Sequence, residues 1–105
     1  MRELYEIIAE ELDVRPEYVN NVIVLMDEGC TIPFIARYRK EAHGSMDDTL
    51  LRKLEERLSS LRNLIERKEA VLRSIEEQGA LTDEIRAALD SAMTMTAVED
   101  IYRPY

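Results

Sequence analysis

The chain has 105 residues and a mass of 12.2 kDa, room for one small domain. Hydrophobic residues make up 46% and charged residues 34%, with three glycines, three prolines, one phenylalanine and no tryptophan. That composition excludes a disordered chain, a collagen and a disulfide scaffold, and it disfavours a β-sandwich. Acids outnumber bases by 22 to 14, and the net charge of −8 argues against a nucleic-acid binder that uses its whole surface.

The spacing predicts a first helix from about Arg2 to Leu12, with Leu4, Ile7, Ile8 and Leu12 on one face. Pro16 ends the segment before it and suits the first turn of a second helix, because a missing N–H costs nothing there. Val19, Val22, Ile23 and Met26 form the second helix's apolar stripe, and Gly29 closes it. A third short helix is expected over about Pro33 to Lys40, then a loop at His43-Gly44-Ser45-Met46. Residues 1–46 thus read as a tri-helical, helix-turn-helix-like unit, and residues 47–105 as one long helix and its return helices.

Asp47 is a good N-cap, and no glycine or proline follows from Asp48 to Gln78. Such a helix would run roughly 46 Å at 1.5 Å per residue. Leu51, Leu54, Leu58, Leu61, Ile65, Leu72 and Ile75 alternate three-four spacing, interrupted only at Lys68, and Leu50, Leu64 and Val71 widen the stripe. That width favours a spine packed on the protein's own helices over a narrow dimer seam. A two-stranded coiled-coil seam is the alternative, and where the stripe lacks its normal cover the fragment is open to self-association. Gly79 ends the helix, and Thr82 caps the next, whose apolar face is Ile85, Ala88, Leu89 and Ala92. Thr96-Ala97-Val98-Glu99 is a capping-box pattern for a last short helix. The chain stops on Tyr102-Arg103-Pro104-Tyr105, which reads as a cut in a longer protein, with the segment folding back onto its own helices.

The phrase Pro33-Phe34-Ile35-Ala36-Arg37-Tyr38-Arg39-Lys40-Glu41 resembles a signature near the start of the Tex family of bacterial transcription accessory proteins. Asp27-Glu28-Gly29 before it fits the family, as does Leu51-Arg52-Lys53-Leu54-Glu55-Glu56-Arg57-Leu58 after it. Ser74-Ile75-Glu76-Glu77-Gln78-Gly79 with Leu81-Thr82, and Val98-Glu99-Asp100-Ile101-Tyr102-Arg103-Pro104-Tyr105, match later phrases in the same order. The resemblance covers essentially the whole chain. It implies a longer parent with an RNase H-like module, a helix-hairpin-helix pair and an OB-type RNA-binding domain. It also implies a link to transcription and to nucleic acid, and similarity to a eukaryotic transcription elongation factor.

Arg37, Arg39 and Lys40, beside Tyr38, are the densest basic cluster of the first 46 residues. They are the candidate nucleic-acid-binding residues: cations for phosphate, Tyr38 for stacking. Arg37 and Lys40 are three apart and would share a helical face, with Arg39 pointing elsewhere. The competing reading is structural: Phe34, Ile35 and Tyr38 pack inward, and the arginines pair with Glu41 or with acids of the long helix. His43 and Cys30 are too few for a structural zinc site, and they lack a motif for nucleophilic chemistry. His43 is expected in an exposed loop and Cys30 at a helix junction. Asp47 and Asp48 are explained by capping and the helix dipole. Glycine-rich phosphate loops and triad spacing are absent, so no cofactor, no metal and no enzymatic activity are expected.

The expected fold is therefore all-α, in a cytoplasmic setting, since a lone cysteine suits a reducing compartment and no apolar run approaches the ~20 residues of a membrane helix. Expected partners are RNA or DNA through the parent protein, the transcription or translation machinery, and the parent's own RNase H-like and other modules. The alternative is a helical scaffold that touches no nucleic acid.

Overall fold

The computed structural model describes residues 3–105. It is all-α: seven helices, and no strand among the described residues. They are α1 (Leu4–Leu12), α2 (Pro16–Asp27), α3 (Ile32–Tyr38), α4 (Lys40–His43), α5 (Asp48–Glu77), α6 (Asp83–Ser91) and α7 (Met95–Tyr102). Arg2, where the spacing starts the first helix, lies outside the described residues. The chain forms two compact units, one up to Ser59 and one over Ser60–Tyr105. The division thus falls within α5 rather than at 46/47, because Leu51, Leu54 and Leu58 are buried in the first unit.

In the first unit α1 and α2 pack together, and α2 also contacts α3 and α4. The helix ends follow the backbone chemistry of the sequence. Gly29, at φ 99°, lets the Cys30 N–H reach the Leu25 carbonyl and its own N–H reach Met26. Asp13 does a glycine's work at the end of α1: it sits at φ 56°, and Val14 N–H donates to the Ala9 carbonyl. The core is Ile8, Val19, Val22, Ile23, Leu25, Ile32, Ile35, Ala42 and Met46 with the three leucines of α5. Leu25, not Met26, completes the α2 stripe; Met26 is only half-buried.

The expected third helix is interrupted. The third helix does not run to Lys40. It breaks at Arg39 (φ −125°, ψ 44°), and a single turn, α4, restarts at Lys40. The region is therefore four-helical rather than tri-helical. Asn21 Nδ2 donates to the Ala42 carbonyl and holds that extra turn against α2. Because α4 carries Ala42 and His43 inward, His43 is 3% exposed rather than on a surface loop.

In the second unit the buried stripe of α5 is Leu61, Leu64, Lys68, Val71 and Ile75. Ile65 and Leu72, expected on the seam, are only half-buried, and the flanking Leu64 and Val71 take their place. Lys68 does not interrupt this face. It is 8% exposed, and its Nζ donates to the Asp90 carbonyl at 3.0 Å, capping the last turn of α6. Gly79 (φ 71°) closes α5 as expected, with Ala80 N–H on the Ile75 carbonyl. Thr82 caps α6 through the Ile85 N–H. Leu89 is buried but Ala88 is exposed, so α6's apolar face is narrower than its composition suggests.

The last helix starts two residues earlier than the capping box implies. Thr94, not Thr96, accepts from the Ala97 N–H, and Glu99 is drawn instead to Arg67. Starting at Met95 buries Val98 completely. Tyr102 returns to α5, where a 2.7 Å hydrogen bond joins its hydroxyl to that of Ser74.

Candidate nucleic-acid interface

The site is built on α3, in the first unit. Thr31 accepts from the Phe34 N–H and starts the helix, and Pro33 fits its first turn. Ile32 and Ile35, three apart, share the buried face. At about 100° per residue, Phe34, Arg37 and Tyr38 are then turned outward. The structure agrees: Phe34 is 43% exposed, Tyr38 is 62% exposed, and Arg37 is exposed as well. Phe34 and Tyr38 were both expected to pack inward in the structural reading; only Ile35 does.

The two rings meet across one helical turn, with centroids 5.3 Å apart and planes tilted by 43°. The Arg37 guanidinium lies 5.5 Å from the Tyr38 ring centre, a cation–π distance. Among the described residues Arg37 has no carboxylate partner, and neither has Lys40. Phe34 is the chain's only phenylalanine, and it lies on the surface rather than in the core.

Arg39 has a different place. Its Nε donates to Glu41 Oε1 at 2.6 Å, and its side chain is partly covered. That hydrogen bond, with the attraction of the carboxylate, raises the Arg39 pKa and lowers that of Glu41 below the ordinary carboxylate range. Glu28 adds to the negative surroundings of Arg39, and the two line a shallow groove with Asn21 and Val24. The structure therefore brings Arg37 and Tyr38 together and holds Arg39 in a local pair. The break at Arg39 also removes the regular helical spacing that would have put Arg37 and Lys40 on one face.

Lys40 borders a groove formed by Ala36, His43, Gly44, Ser45, Met46, Asp47 and the first residues of α5, Asp48 and Thr49. Asp47 is committed to the helix end, where its Oδ1 accepts from the Leu50 N–H at 2.8 Å. His43 Nε2 lies 3.4 Å from the Ala36 carbonyl, and its buried Nδ1 has no hydrogen-bond partner among the described residues. Gly44, at φ 69°, lies so close to Tyr18 that an added Cβ would sit 3.0 Å from the ring. Cys30 is a free, half-buried thiol at the α2–α3 junction. Among the described residues no group of three or more His, Cys, Asp or Glu is placed to hold a metal ion. None of their helices is long and apolar enough to cross a membrane.

Sequence comparison places these residues in a family. Residues 2–76 match the Tex-like protein N-terminal domain. The chain is 56% identical over 99 residues to protein YhgF of Escherichia coli strain K12, covering 94% of this chain and 13% of that protein. It is equally similar, with the same coverage of each chain, to the transcriptional accessory protein Tex of Neisseria gonorrhoeae. A more distant relative, the human S1 RNA-binding domain-containing protein 1, is 27% identical over 103 residues, which are 98% of this chain and 10% of that protein. The chain thus spans about one-eighth of the length of the bacterial relatives. Four ordered phrases, an all-α fold and these matches agree: the chain belongs to the Tex family and corresponds to its N-terminal domain.

Proposed function

We propose that this domain serves a Tex-like transcription accessory protein as a non-enzymatic contact and placement module, in the cytoplasm. Its α3 face touches RNA or DNA, and its helices position the parent's other modules, the RNase H-like one included, beside the transcription or translation machinery. The observation that carries the nucleic-acid part is the exposed Arg37–Tyr38 pair beside Phe34, with neither Arg37 nor Lys40 paired to a carboxylate among the described residues. The names of two relatives, a transcriptional accessory protein and an S1 RNA-binding domain-containing protein, support the same direction.

The mechanism is electrostatic and positional. Arg37 and Lys40 meet phosphates, and Tyr38 supplies a face. Arg39 keeps its pair with Glu41 and fixes the turn between the two cations. A contact of this size is weak and local, in keeping with a net charge of −8. Two phosphate contacts give a salt slope of roughly −1.4 on single strands and roughly −1.8 on duplex.

The test is a salt titration of the 105-residue chain against labelled RNA and DNA, read by fluorescence anisotropy. Saturable binding at low salt with that slope is expected. Arg37→Glu with Lys40→Glu should abolish it while the thermal midpoint holds. No binding at low salt would leave the second reading, a scaffold whose long helix α5 anchors the other helices. That reading is favoured by the polar ties of α5 to α1 (Arg57–Glu11) and to α7 (Arg67–Glu99).

A further inference from the structure

The α3 face has a shape and chemistry that discriminate between forms of nucleic acid. A recognition helix that reads duplex DNA places donors and acceptors against base edges in the major groove. α3 is seven residues long, about 10 Å at 1.5 Å per residue, and its outward face offers Phe34, Arg37 and Tyr38. Phe34 can donate and accept nothing at a base edge. Both rings, however, present π faces, and every unpaired base has a π face to match.

The break at Arg39 strengthens the case. It ends α3 directly after Tyr38, so no further turn of that helix covers the ring. Charge points the same way. A duplex presents both strands' phosphates to a domain of net charge −8, whereas a single strand presents half that density and adds stacking. Of the nearby acids, Glu41 is paired with Arg39 and Asp47 caps α5, while Glu28 adds its charge beside Arg39. Asp48, which borders the groove beside Lys40, is left as the local repulsion, so Arg37 is the stronger of the two cations.

We infer that this face takes unpaired bases of single-stranded nucleic acid, one on Tyr38 and one on Phe34, with Arg37 and Lys40 on the intervening and flanking phosphates. The inference rests on the proposed nucleic-acid contact and narrows it. The 43° tilt between the rings means that they cannot share one continuous base stack. Each ring takes its own base, so the strand must splay between them. A flexible pyrimidine run does that more readily than a stacked purine run.

The experiment compares labelled oligo(U), oligo(dT), oligo(A) and a closed hairpin duplex, each of about ten binding nucleotides, at low salt. Single-stranded pyrimidine is expected to bind roughly tenfold or more tighter than the hairpin, and tighter than oligo(A). Comparing oligo(U) with oligo(dT) separates RNA from DNA as the source of the strand, and tight binding of either supports the inference. Phe34→Ala with Tyr38→Ala should cost roughly tenfold to a hundredfold in single-strand affinity, while Tyr38→Phe retains it. If the alanine double variant is unfolded by circular dichroism, Tyr38→Trp decides the matter. The chain has no other tryptophan, so base stacking appears as quenching of a single emission band. Equal affinity for the hairpin, or no quenching on saturation, overturns the inference and leaves the phosphate contact standing. Binding of no probe removes both. A second copy covering the patch, seen as a dimer in sedimentation that Tyr38→Ala dissolves, also overturns it.

Discussion

The two units each hold an arginine stacked on a tyrosine, at nearly the same distance: Arg37 over Tyr38 at 5.5 Å and Arg67 over Tyr102 at 5.4 Å. Their surroundings differ. Arg67 forks onto both oxygens of Glu99, at 2.6 and 3.0 Å, and the Tyr102 hydroxyl is bonded to Ser74. Every polar end of that cluster has a partner within the second unit. Among the described residues of the first unit, Arg37 has no carboxylate partner and the Tyr38 hydroxyl has no bonded one. The same contact is thus a clasp in one place and an open surface in the other. Residue type and spacing do not separate the two cases; the neighbours do.

The comparison can be broken most sharply at the tyrosines. Tyr102→Ala removes a half-buried ring and the shorter of the Ser74 hydroxyl's two hydrogen bonds, and it should cost about 2 kcal/mol in chemical denaturation. Tyr38→Ala should stay within about 0.5 kcal/mol of the parent sequence, because its ring is exposed. A cost as large as that of Tyr102→Ala would make Tyr38 structural. Next comes Ser74→Ala, which leaves the Tyr102 hydroxyl without its partner at about 1 kcal/mol.

The arginines give a smaller contrast. Arg67→Gln should lower the melting midpoint, by an amount that shrinks in high salt, since that pair is well exposed. Arg37→Gln should leave the midpoint in place and weaken only nucleic-acid binding. The smallest effect is in pH. Arg67 holds the Glu99 carboxyl below its ordinary range, chiefly through its hydrogen bonds. A lowered carboxylate pKa contributes stability above the unfolded value, which is lost as pH falls through the folded one. Melts taken from pH 6 to pH 3 should therefore show Glu99→Gln losing less stability over the acid range below about 4.3 than the parent sequence does.

Where a residue's own backbone preference sets the structure, the sequence was readable. Gly29 and Gly79 take positive φ, Pro16 opens α2, and Asp47 and Thr82 cap helices as their types require. The features that escaped it depend on which side chains find partners or burial in the folded unit. The break at Arg39 has no proline or glycine to mark it; it goes with the Asn21–Ala42 bond and the Arg39–Glu41 pair. Thr94 and Thr96 are both adequate caps, and complete burial of Val98 goes with the first. Glu99, read as the end of a capping box, is claimed by an arginine 32 positions away.

The site was partly legible. Arg37, Tyr38, Arg39 and Lys40 stand out as a cluster in the sequence, whereas Phe34 enters only in the structural reading, as a residue packing inward with Ile35 and Tyr38. The signal against that lies in the spacing: Ile35, not Phe34, sits three positions after Ile32 on the same helical face. Ile35 completes a pair with Ile32, which turns Phe34 toward Tyr38. The division of labour among the three cations was not legible, because it follows from where the helix breaks.

Lys68 began as the gap in an apolar stripe and is in fact a cap on a neighbouring helix. The chain contains only two other lysines, Lys40 and Lys53, and both are exposed. Amine-reactive reagents should therefore modify those two quickly and reach Lys68 only when α6 lifts from α5. Mass spectrometry of that one slow site would time the opening of the second unit, with the other two lysines as internal standards.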